Sequence, residues 1–450
     1  MDIVSRMFLI GILILLAVIL AVEVCRYRKK QSVAEYDSLT GLYSREGFFE
    51  KAKEKIRRNP NKKWCMVCTD IRNFKLANDL FGEEMGNKVL TDQAKRLIQG
   101  TCDEGICGRI AGDRFAMLIP KASFQTQQIT EEMVGLQYFI NDTSYKFHIF
   151  VGVYEITDPK ESIQVMCDKA NMAIDSFKGD YSKVIAYYDE KMLDRLIHEK
   201  NILSEFNDAL VSGQFVMYLQ PQISNAGILV GAEAIVRWHH PSKGILMPAD
   251  FLGIIEKRGY IYRLDRWMWE QAVSKLADWK KRGQEDISIS VNVSTKDFYY
   301  ADLYKVFTSL VEAYEVEPNK LHIEITETVF MQDIGARLTV IEQLRDYGFH
   351  LEIDDFGSGY SSLSMLKDIE ADTLKIDMTF LEETNNPIRA RTILCSIITM
   401  AKELGMTVIT EGVQNREHEE FLAQMGCDIF QGYYYAMPIP VEEFEQKYGL

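Results

Sequence analysis

The stretch HLEIDDFGSGYSSL, residues 350–363, combines an apolar strand pattern with two adjacent carboxylates and a glycine-rich turn. The alternating residues Leu351 and Ile353 predict a buried strand that delivers Asp354 and Asp355 into the turn. The glycines that follow allow a sharp bend and a close approach of the backbone to a ligand. Two neighbouring aspartates repel each other, and a divalent cation would remove that repulsion. A solvated Asp-Gly turn that caps a helix is the alternative, so the rest of the chain decides between the two.

Length and charge limit what the chain can be. It has 450 residues, 66 of them acidic and 51 basic, with a formal net charge of −15. The length predicts two domains with a small additional segment. The negative charge argues against a nucleic-acid polymer as partner, because proteins grip phosphate backbones through positive surfaces. A small anionic substrate is compatible with it if metal ions supply the local positive charge.

An unbroken apolar run, MFLIGILILLAVILAV, occupies residues 7–22, and the basic sequence RYRKK follows at 26–30. The run is slightly short of the ~20 residues that cross a bilayer core, and the residues up to Tyr27 supply the missing length. Because basic residues stay on the cytoplasmic side, residues 1–30 predict a single-pass anchor in the cell membrane with both globular domains in the cytoplasm. A cleaved signal peptide is the alternative, which the basic cluster after the apolar run disfavours.

Residues 31–189 alternate apolar strands with helical segments, a pattern typical of an α+β or α/β domain. Three motifs occur there in order: DSLTGLYSREGFF at 37–49, DIRNFKLANDLFGEEMGNKVL at 70–90 and RIAGDRFAMLIP at 109–120. Together they resemble the GGDEF domain family, the cyclic di-GMP synthases, whose fold is nucleotidyl-cyclase-like.

This block departs from the GGDEF pattern at positions to which the resemblance assigns chemistry. Arg114 stands in place of the metal-binding glutamate, and Arg72 and Asn87 stand in place of two aspartates. An arginine cannot ligate a divalent cation, and its fixed charge repels one. We therefore predict a degenerate GGDEF domain without synthase activity. Binding of GTP as a regulatory input is one hypothesis for its role, and a scaffold that holds dimer geometry is the alternative.

Apolar spacing at Leu193, Ile197 and Phe206 predicts a linker helix over residues 190–207. Residues 208–450 have the length of a single TIM-like (β/α) barrel, about 250 residues. Short apolar runs in this block repeatedly end in a polar or acidic residue before a helical stretch. The carboxyl ends of barrel strands meet at one rim, so residues far apart in sequence would cluster there. The pattern predicts an α/β fold with its functional groups at that rim.

Side chains with oxygen donors end most of these predicted strands. They are Glu233, Asn292, Glu324, Asp354, Asp355 and Glu411. Oxygen donors suit Mg²⁺ or Mn²⁺ rather than zinc. Two cations about 3.5–4 Å apart would relieve the repulsion between the carboxylates and form a clamp for in-line attack on a phosphodiester.

Other residues near the predicted strand ends are candidates for handling substrate. Lys375 would orient the attacking water or stabilise the developing charge, and a salt-bridged lysine is the alternative for it. Arg237 suits a phosphate, because its planar fork donates two hydrogen bonds at once. Gln220 is a candidate for binding the guanine edges, and Gln431 is a further candidate for binding substrate.

The whole third block resembles the EAL domain family, metal-dependent phosphodiesterases that open cyclic di-GMP to linear pGpG. The matching motifs are YLQPQI at 218–223, EAIVRWHHP at 233–241, NVS at 292–294, EITET at 324–328, DDFGSGYSSL at 354–363, KID at 375–377, EGV at 411–413 and QGYYYAMP at 431–438.

The resemblance implies metal ligation by the six oxygen-donor residues above, with Asp355 and Glu411 also in the catalytic set. It further implies a catalytic role for Lys375, a loop-ordering role for Glu327, two Mg²⁺ or Mn²⁺ ions per active site, and a homodimer. The chain is thus predicted to be a membrane-anchored GGDEF–EAL tandem protein that hydrolyses cyclic di-GMP. One alternative is a non-catalytic cyclic di-GMP receptor that signals to a protein partner. Another is a metal-dependent barrel hydrolase that acts on a different phosphodiester.

Overall fold

The computed structural model describes residues 35–101, 103–124, 135–140, 143–177, 184–326, 329, 334–356, 366–367, 369–377 and 387–450. These residues form two compact units, one ending at Ile197 and the other beginning at His198. The predicted membrane anchor at residues 1–30 lies outside the described residues. Among the helices of the described ranges, none is long and apolar enough to cross a bilayer.

The first unit is built on a mixed five-stranded sheet. The order of its strands is β2-β3-β1-β6-β7, and β4 and β5 form a separate hairpin. Strand β1 pairs antiparallel with β3 and β6, whereas β7 pairs parallel with β6. The strands are β1 (Trp64–Ile71), β2 (Ile106–Ala111), β3 (Arg114–Pro120), β4 (Leu136–Ile140), β5 (Thr143–Phe147), β6 (Ile149–Glu155) and β7 (Ile185–Tyr187). The helices are α1 (Arg45–Arg58), α2 (Phe74–Gly100) and α3 (Ile163–Asp175).

Successive residues of strand β1 point to opposite sides of the sheet, and both sides are buried. Val67 belongs to the hydrophobic cluster that includes Leu97 of α2. Met66 belongs to the cluster that includes Phe48 of α1 and Met166 of α3. The sheet therefore has a helical layer on each side, in a mixed fold of helices and strands.

The second unit contains the remaining elements. Its strands are β8 (Phe215–Ser224), β9 (Leu229–His240), β10 (Gly244–Leu246), β11 (Ser288–Val293), β12 (Leu321–Thr326), β13 (His350–Phe356), β14 (Thr373–Asp377), β15 (Thr407–Glu411), β16 (Ile429–Gln431) and β17 (Ile439–Pro440). Its helices are α5 (Pro248–Lys257), α6 (Ile261–Lys281), α7 (Asp297–Tyr300), α8 (Leu303–Tyr314), α9 (Ile334–Tyr347), α10 (Pro387–Glu403), α11 (Arg416–Gln424) and α12 (Val441–Tyr448). Helix α4 (Glu190–Val211) extends past residue 207, where the predicted linker helix ends, and buries Ile202 and Phe206 in the core of this unit.

Eight strands of the second unit close into a barrel. Their order is β9-β11-β12-β13-β14-β15-β16-β8, and pairing of β8 with β9 completes the ring. Strand β8 runs antiparallel to both of its neighbours, while the other pairs around the ring are parallel. The predicted TIM-like barrel is confirmed, with one reversed strand that the prediction did not contain.

Candidate active site

The predicted acidic residues lie on neighbouring barrel strands at matching heights. Asn292 is the register partner of Glu324, and Glu233 on β9 faces Gln220 on the reversed strand β8. Glu411 pairs with Asp377 at the carboxyl end of β14. Register partners on neighbouring strands point to the same face of the sheet, because strand residues alternate between the two faces. This register therefore brings these side chains together in the interior of the barrel.

Lys375 lies at the centre of this cluster. Its side chain is 1% exposed, and its Nζ is 2.6 Å from Glu411 Oε1 and 2.8 Å from Glu324 Oε1. The same Nζ is 3.3 Å from Asp354 Oδ1 and 3.4 Å from Glu233 Oε2. Carboxylates that are up to 178 positions apart in sequence (411 − 233) thus converge on one ammonium. Lys375 is therefore salt-bridged, as the alternative interpretation had it, but inside the acidic cluster rather than at the surface.

The electrostatics of the cluster follow from burial and from the excess of negative charge. Burial raises the pKa of Glu324 well above its usual range, and the charge of Glu233 raises it further. Burial also raises the pKa of Glu411 to about 8, although 22% of that side chain reaches solvent. For Lys375, burial lowers the pKa, but the surrounding carboxylates outweigh it and hold the pKa well above its ordinary value. The lysine is therefore charged, and it lies among four carboxyl groups, two of which burial drives toward the protonated form.

Asp355 is held differently from Asp354. Its backbone has a φ of 57°, in the left-handed region that residues other than glycine seldom adopt. The register of β13 against β14 shifts between Ile353 and Phe356, as it does at a β-bulge. Burial, followed by the charge of Asp354, raises the pKa of Asp355 to about 6 even though the residue is exposed at the rim. Asp355 therefore lies at a distorted end of β13, next to Asp354.

Amide side chains fix the carboxylate of Glu233 from both sides. Asn292 Nδ2 donates to Glu233 Oε1 at 3.2 Å, and Gln431 Nε2 donates to Glu233 Oε2 at 2.5 Å. Gln431 Nε2 also donates to Gln220 Oε1 at 3.1 Å, and Gln222 Nε2 donates to Gln431 Oε1 at 3.2 Å. The predicted substrate-binding residues Gln220 and Gln431 thus belong to a network that orients Glu233. Gln222 was missed, although its spacing of two from Gln220 places both on the same face of β8.

Arg237, a further predicted residue, has its described contacts outside this network. Arg237 is 8% exposed, donates a hydrogen bond to the Val236 carbonyl at 2.9 Å and lies over the ring of Tyr218 at 5.5 Å. Its described contacts therefore hold it beside an aromatic ring rather than against the carboxylates. Glu327, the predicted loop-ordering residue, lies outside the described residues.

The donor set is compatible with hard divalent cations. Glu324 Oε2 is buried with no hydrogen-bond partner among the described residues, so one oxygen of the cluster is available as a ligand. Carboxylate and amide oxygens are the donors that Mg²⁺ and Mn²⁺ prefer in proteins. The residues at the centre of the barrel therefore fit the cations predicted from the sequence.

The first unit places Arg114 against an acidic residue of its own site. Asp70 and Arg114 are register partners on β1 and β3, and Arg114 Nε is 3.7 Å from Asp70 Oδ1. Burial, and then the charge of Asp70, raises the pKa of Asp113. The guanidinium therefore supplies positive charge where the GGDEF pattern has a carboxylate.

A closed barrel whose interior gathers carboxylates around a buried lysine defines a class of α/β-barrel proteins with an acidic, cation-type site at the ends of the strands. The family model described as "EAL domain" matches residues 203–438, and the one described as "Diguanylate cyclase, GGDEF domain" matches residues 34–182. The chain belongs to the EAL domain family and carries a GGDEF domain in tandem with its EAL domain.

Curated relatives share both domains. The chain is 30% identical over 424 residues to "Signaling protein YkoW" of Bacillus subtilis, covering 92% of this chain and 53% of that protein. It is also 30% identical over 429 residues to "Cyclic di-GMP phosphodiesterase NbdA" of Pseudomonas aeruginosa, covering 93% of this chain and 55% of that protein. The chain thus spans about half the length of these two relatives.

A solved structure described as "PaMucR Phosphodiesterase, c-di-GMP complex" matches the chain at 34% identity and a TM-score of 0.52. The match covers 54% of this chain and 99% of that structure.

Proposed function

We propose that this chain is a cyclic di-GMP phosphodiesterase that hydrolyses cyclic di-GMP to linear pGpG. The convergence of Glu233, Glu324, Asp354 and Glu411 on Lys375 is the observation that carries the proposal. The EAL family match and the naming of NbdA as a cyclic di-GMP phosphodiesterase support it. The match to a phosphodiesterase solved with c-di-GMP supports the choice of substrate.

In this proposal the cluster holds two divalent cations, Mg²⁺ or Mn²⁺. The ligands are Glu233, Asn292, Glu324, Asp354, Asp355 and Glu411. Cations held by these residues would lower the pKa of water and polarise the phosphoryl oxygens.

The chain's own residues prepare the site. The charge of Lys375 favours the ionised form of Glu324 and Glu411, which burial opposes. Asn292 and Gln431 fix the two oxygens of Glu233 and so set the orientation of that carboxylate. Burial and the charge of Asp354 raise the pKa of Asp355 to about 6, so a bound cation would also serve to hold this carboxylate in its ionised form.

The proposal extends to the rest of the chain. The GGDEF domain is catalytically inactive, since Arg114 pairs with Asp70 in place of a metal-binding carboxylate, and it serves as a GTP-responsive regulator. The chain works as a homodimer, and residues 1–30 anchor it in the cell membrane with both domains in the cytoplasm. Glu327 orders the loop that carries the residues after Asp355. These parts rest on the sequence patterns and on the family.

The test is turnover of cyclic di-GMP by the purified full chain with Mg²⁺ or Mn²⁺, followed by chromatography for pGpG. We expect pGpG to accumulate with the wild-type chain and to fall by at least about 100-fold in Asp354→Asn, since two-metal chemistry depends on its carboxylates. Asp346→Asn is the matched control, because the side chain of Asp346 is 76% exposed at the surface. Both variants remove one carboxylate, and only the first should lose activity.

The alternatives give different outcomes in the same assay. Unchanged dinucleotide, in a preparation that binds it, would identify a receptor. Faster hydrolysis of another phosphodiester in a substrate panel would identify a different substrate. Turnover with and without GTP, together with titration calorimetry, tests the regulatory part, and no heat at millimolar GTP would reject it.

A further inference from the structure

A second group of metal-ligating side chains lies below the acidic cluster. His322, His350 and Glu352 each offer one ligand atom, and these atoms lie within 4.8 Å of one another. His322 is the second residue of β12 and His350 the first residue of β13. The group therefore faces the amino-terminal end of the parallel strands, opposite to the rim that Asp355 occupies.

We propose that His322, His350 and Glu352 form a binding site for a transition-metal ion of the zinc class. Two imidazoles and one carboxylate are a donor set that zinc adopts in proteins, with a further position open to water or another ligand. The acidic cluster around Lys375 contains only oxygen donors, which suit Mg²⁺ and Mn²⁺. The two ends of the barrel thus select different cations by ligand type.

The group is held in place before any ion binds. His322 Nδ1 and Glu352 Oε1 are 2.6 Å apart, and the two imidazole rings stack with their centroids at 4.1 Å. The Thr373 hydroxyl bonds His350 Nε2 at 2.7 Å, and Asp372 Oδ2 lies 4.0 Å from His350 Nδ1. Outer partners of this kind orient histidine ligands and tune their affinity for a metal.

The carboxylate of Glu352 is buried, with a side chain that is 1% exposed. Its Oε2 has no hydrogen-bond partner among the described residues. Because buried polar atoms are normally partnered, this oxygen is available to a cation.

An ion would take the place of the proton shared by His322 Nδ1 and Glu352 Oε1. Zinc–ligand bonds of about 2.0–2.1 Å at tetrahedral angles place two ligand atoms roughly 3.3 Å apart. The two atoms, now 2.6 Å apart, would have to separate by about 0.7 Å, a distance within reach of side-chain rotation. The imidazoles are also open to solvent, since the side chains of His322 and His350 are 16% and 27% exposed.

The experiment titrates the chelator-treated full chain with Zn²⁺, and separately with Co²⁺, in an excess of Mg²⁺ that occupies the acidic cluster. We expect one equivalent of Zn²⁺ to bind, and His350→Gln and His322→Gln each to weaken its binding by at least about tenfold. The Co²⁺ spectrum should show imidazole ligation, which distinguishes this site from thiolate binding at the exposed Cys395. His198→Gln is the matched control, because His198 lies elsewhere in the same unit and bonds the Asp250 carbonyl at 3.0 Å.

A second variant separates this site from the proposed catalytic one. The double change of Asp354 and Asp355 to asparagine should abolish hydrolysis of cyclic di-GMP and leave the Zn²⁺ affinity within about threefold of wild type, because ligands of one site are not ligands of the other. Circular dichroism confirms that each variant is folded, and Glu352→Gln provides a further, nearly isosteric loss of a ligand. Zinc binding of wild-type strength in His350→Gln, or no stoichiometric zinc in the presence of Mg²⁺, would overturn the proposal. Either result is independent of whether the chain hydrolyses cyclic di-GMP.

Discussion

Replacing Lys375 with methionine tests whether the buried ammonium holds the acidic cluster together. Methionine keeps most of the length of the side chain and removes the charge, which faces carboxylate oxygens at 2.6–3.4 Å. At an effective dielectric constant of ~20 each such contact is worth roughly 5–6 kcal/mol before desolvation is subtracted. Removal of one partner from a buried ion pair costs about 3–5 kcal/mol, because the remaining charge is left without compensation. We expect Lys375→Met to lower the unfolding free energy of the metal-free chain by about 4 kcal/mol.

The measurement is urea unfolding followed by tryptophan fluorescence. Trp238, Trp267, Trp269 and Trp279 belong to the barrel unit, and only one of the five tryptophans lies in the first unit, so the signal reports mainly on the barrel. The matched control is Lys402→Met, which removes an ion pair to Asp428 at 2.6 Å from a lysine that is 43% exposed. Exposed pairs of this kind contribute about 0–1 kcal/mol. The contrast between the two variants isolates the effect of burial.

Addition of Mn²⁺ supplies the second half of the test. A cation bound by the same carboxylates replaces part of the lost charge, so the difference in stability between wild type and Lys375→Met should shrink. A loss below about 1 kcal/mol in the metal-free variant, no larger than that of Lys402→Met, would refute the central role of the ammonium. A loss that Mn²⁺ leaves unchanged would refute the view that the lysine and the cation share these ligands.

The remaining predictions concern pH, packing and the first unit. The unfolding free energy of the metal-free chain should fall as pH rises from about 4.5 to 8. The reason is that the pKa of Glu411 is raised from 4.5 to about 8 in the folded state, so the folded chain holds this proton more tightly than the unfolded chain does. Urea titrations over this pH range measure the effect, and a rise in stability would contradict the prediction. Gly432→Ala would place a Cβ 2.2 Å from the Val413 carbonyl oxygen. We therefore expect the unfolding free energy to fall by about 1–3 kcal/mol and the formation of pGpG to decrease, as measured by the same unfolding and turnover assays. Unchanged stability would show that the segments around Gly432 and Val413 can separate without cost. Arg114→Glu removes the 3.7 Å contact between Arg114 and Asp70, and the Arg114 side chain is 52% exposed. The unfolding free energy should therefore change by less than about 1 kcal/mol, while the affinity for GTP with Mg²⁺ rises. Calorimetry that finds no gain in affinity would show that Arg114 is not the group that excludes a metal.

The acidic residues of the barrel could be predicted because each interrupts an apolar strand. Glu324 lies between Ile323 and Ile325, and Asp354 follows Ile353, so each stands beside buried aliphatic residues, and the barrel geometry then requires them to meet. The reversal of β8 could not be predicted in the same way, because alternation of apolar residues carries no information on strand direction. Gln431 is held beside Glu233 by hydrogen bonds with Gln220 and Gln222, and both of these residues lie on the reversed strand β8. The role of Gln431 as a partner of Glu233 therefore depends on that reversal.

His322 and Glu352 were not among the residues predicted from the sequence. Each lies two residues before a residue that was singled out, and the strand period of two places both members of each pair on the same face. Their chemistry could therefore have been inferred from the same pattern. What the pattern cannot supply is the 2.6 Å contact between them, because it depends on the register of β12 against β13.

The position of Lys375 explains how one barrel can contain this many acidic groups. TIM-like barrels are ordinarily filled by branched apolar side chains, whose burial stabilises them. Here the lysine and the carboxylates occupy that space, so the ammonium offsets the repulsion that a cation would otherwise have to remove. The same ammonium contacts Glu324 and Glu411 most closely, so a cation bound by these carboxylates would have to compete with it. Removal of the lysine should therefore strengthen any cation binding at the cluster and make the fold depend on the cation.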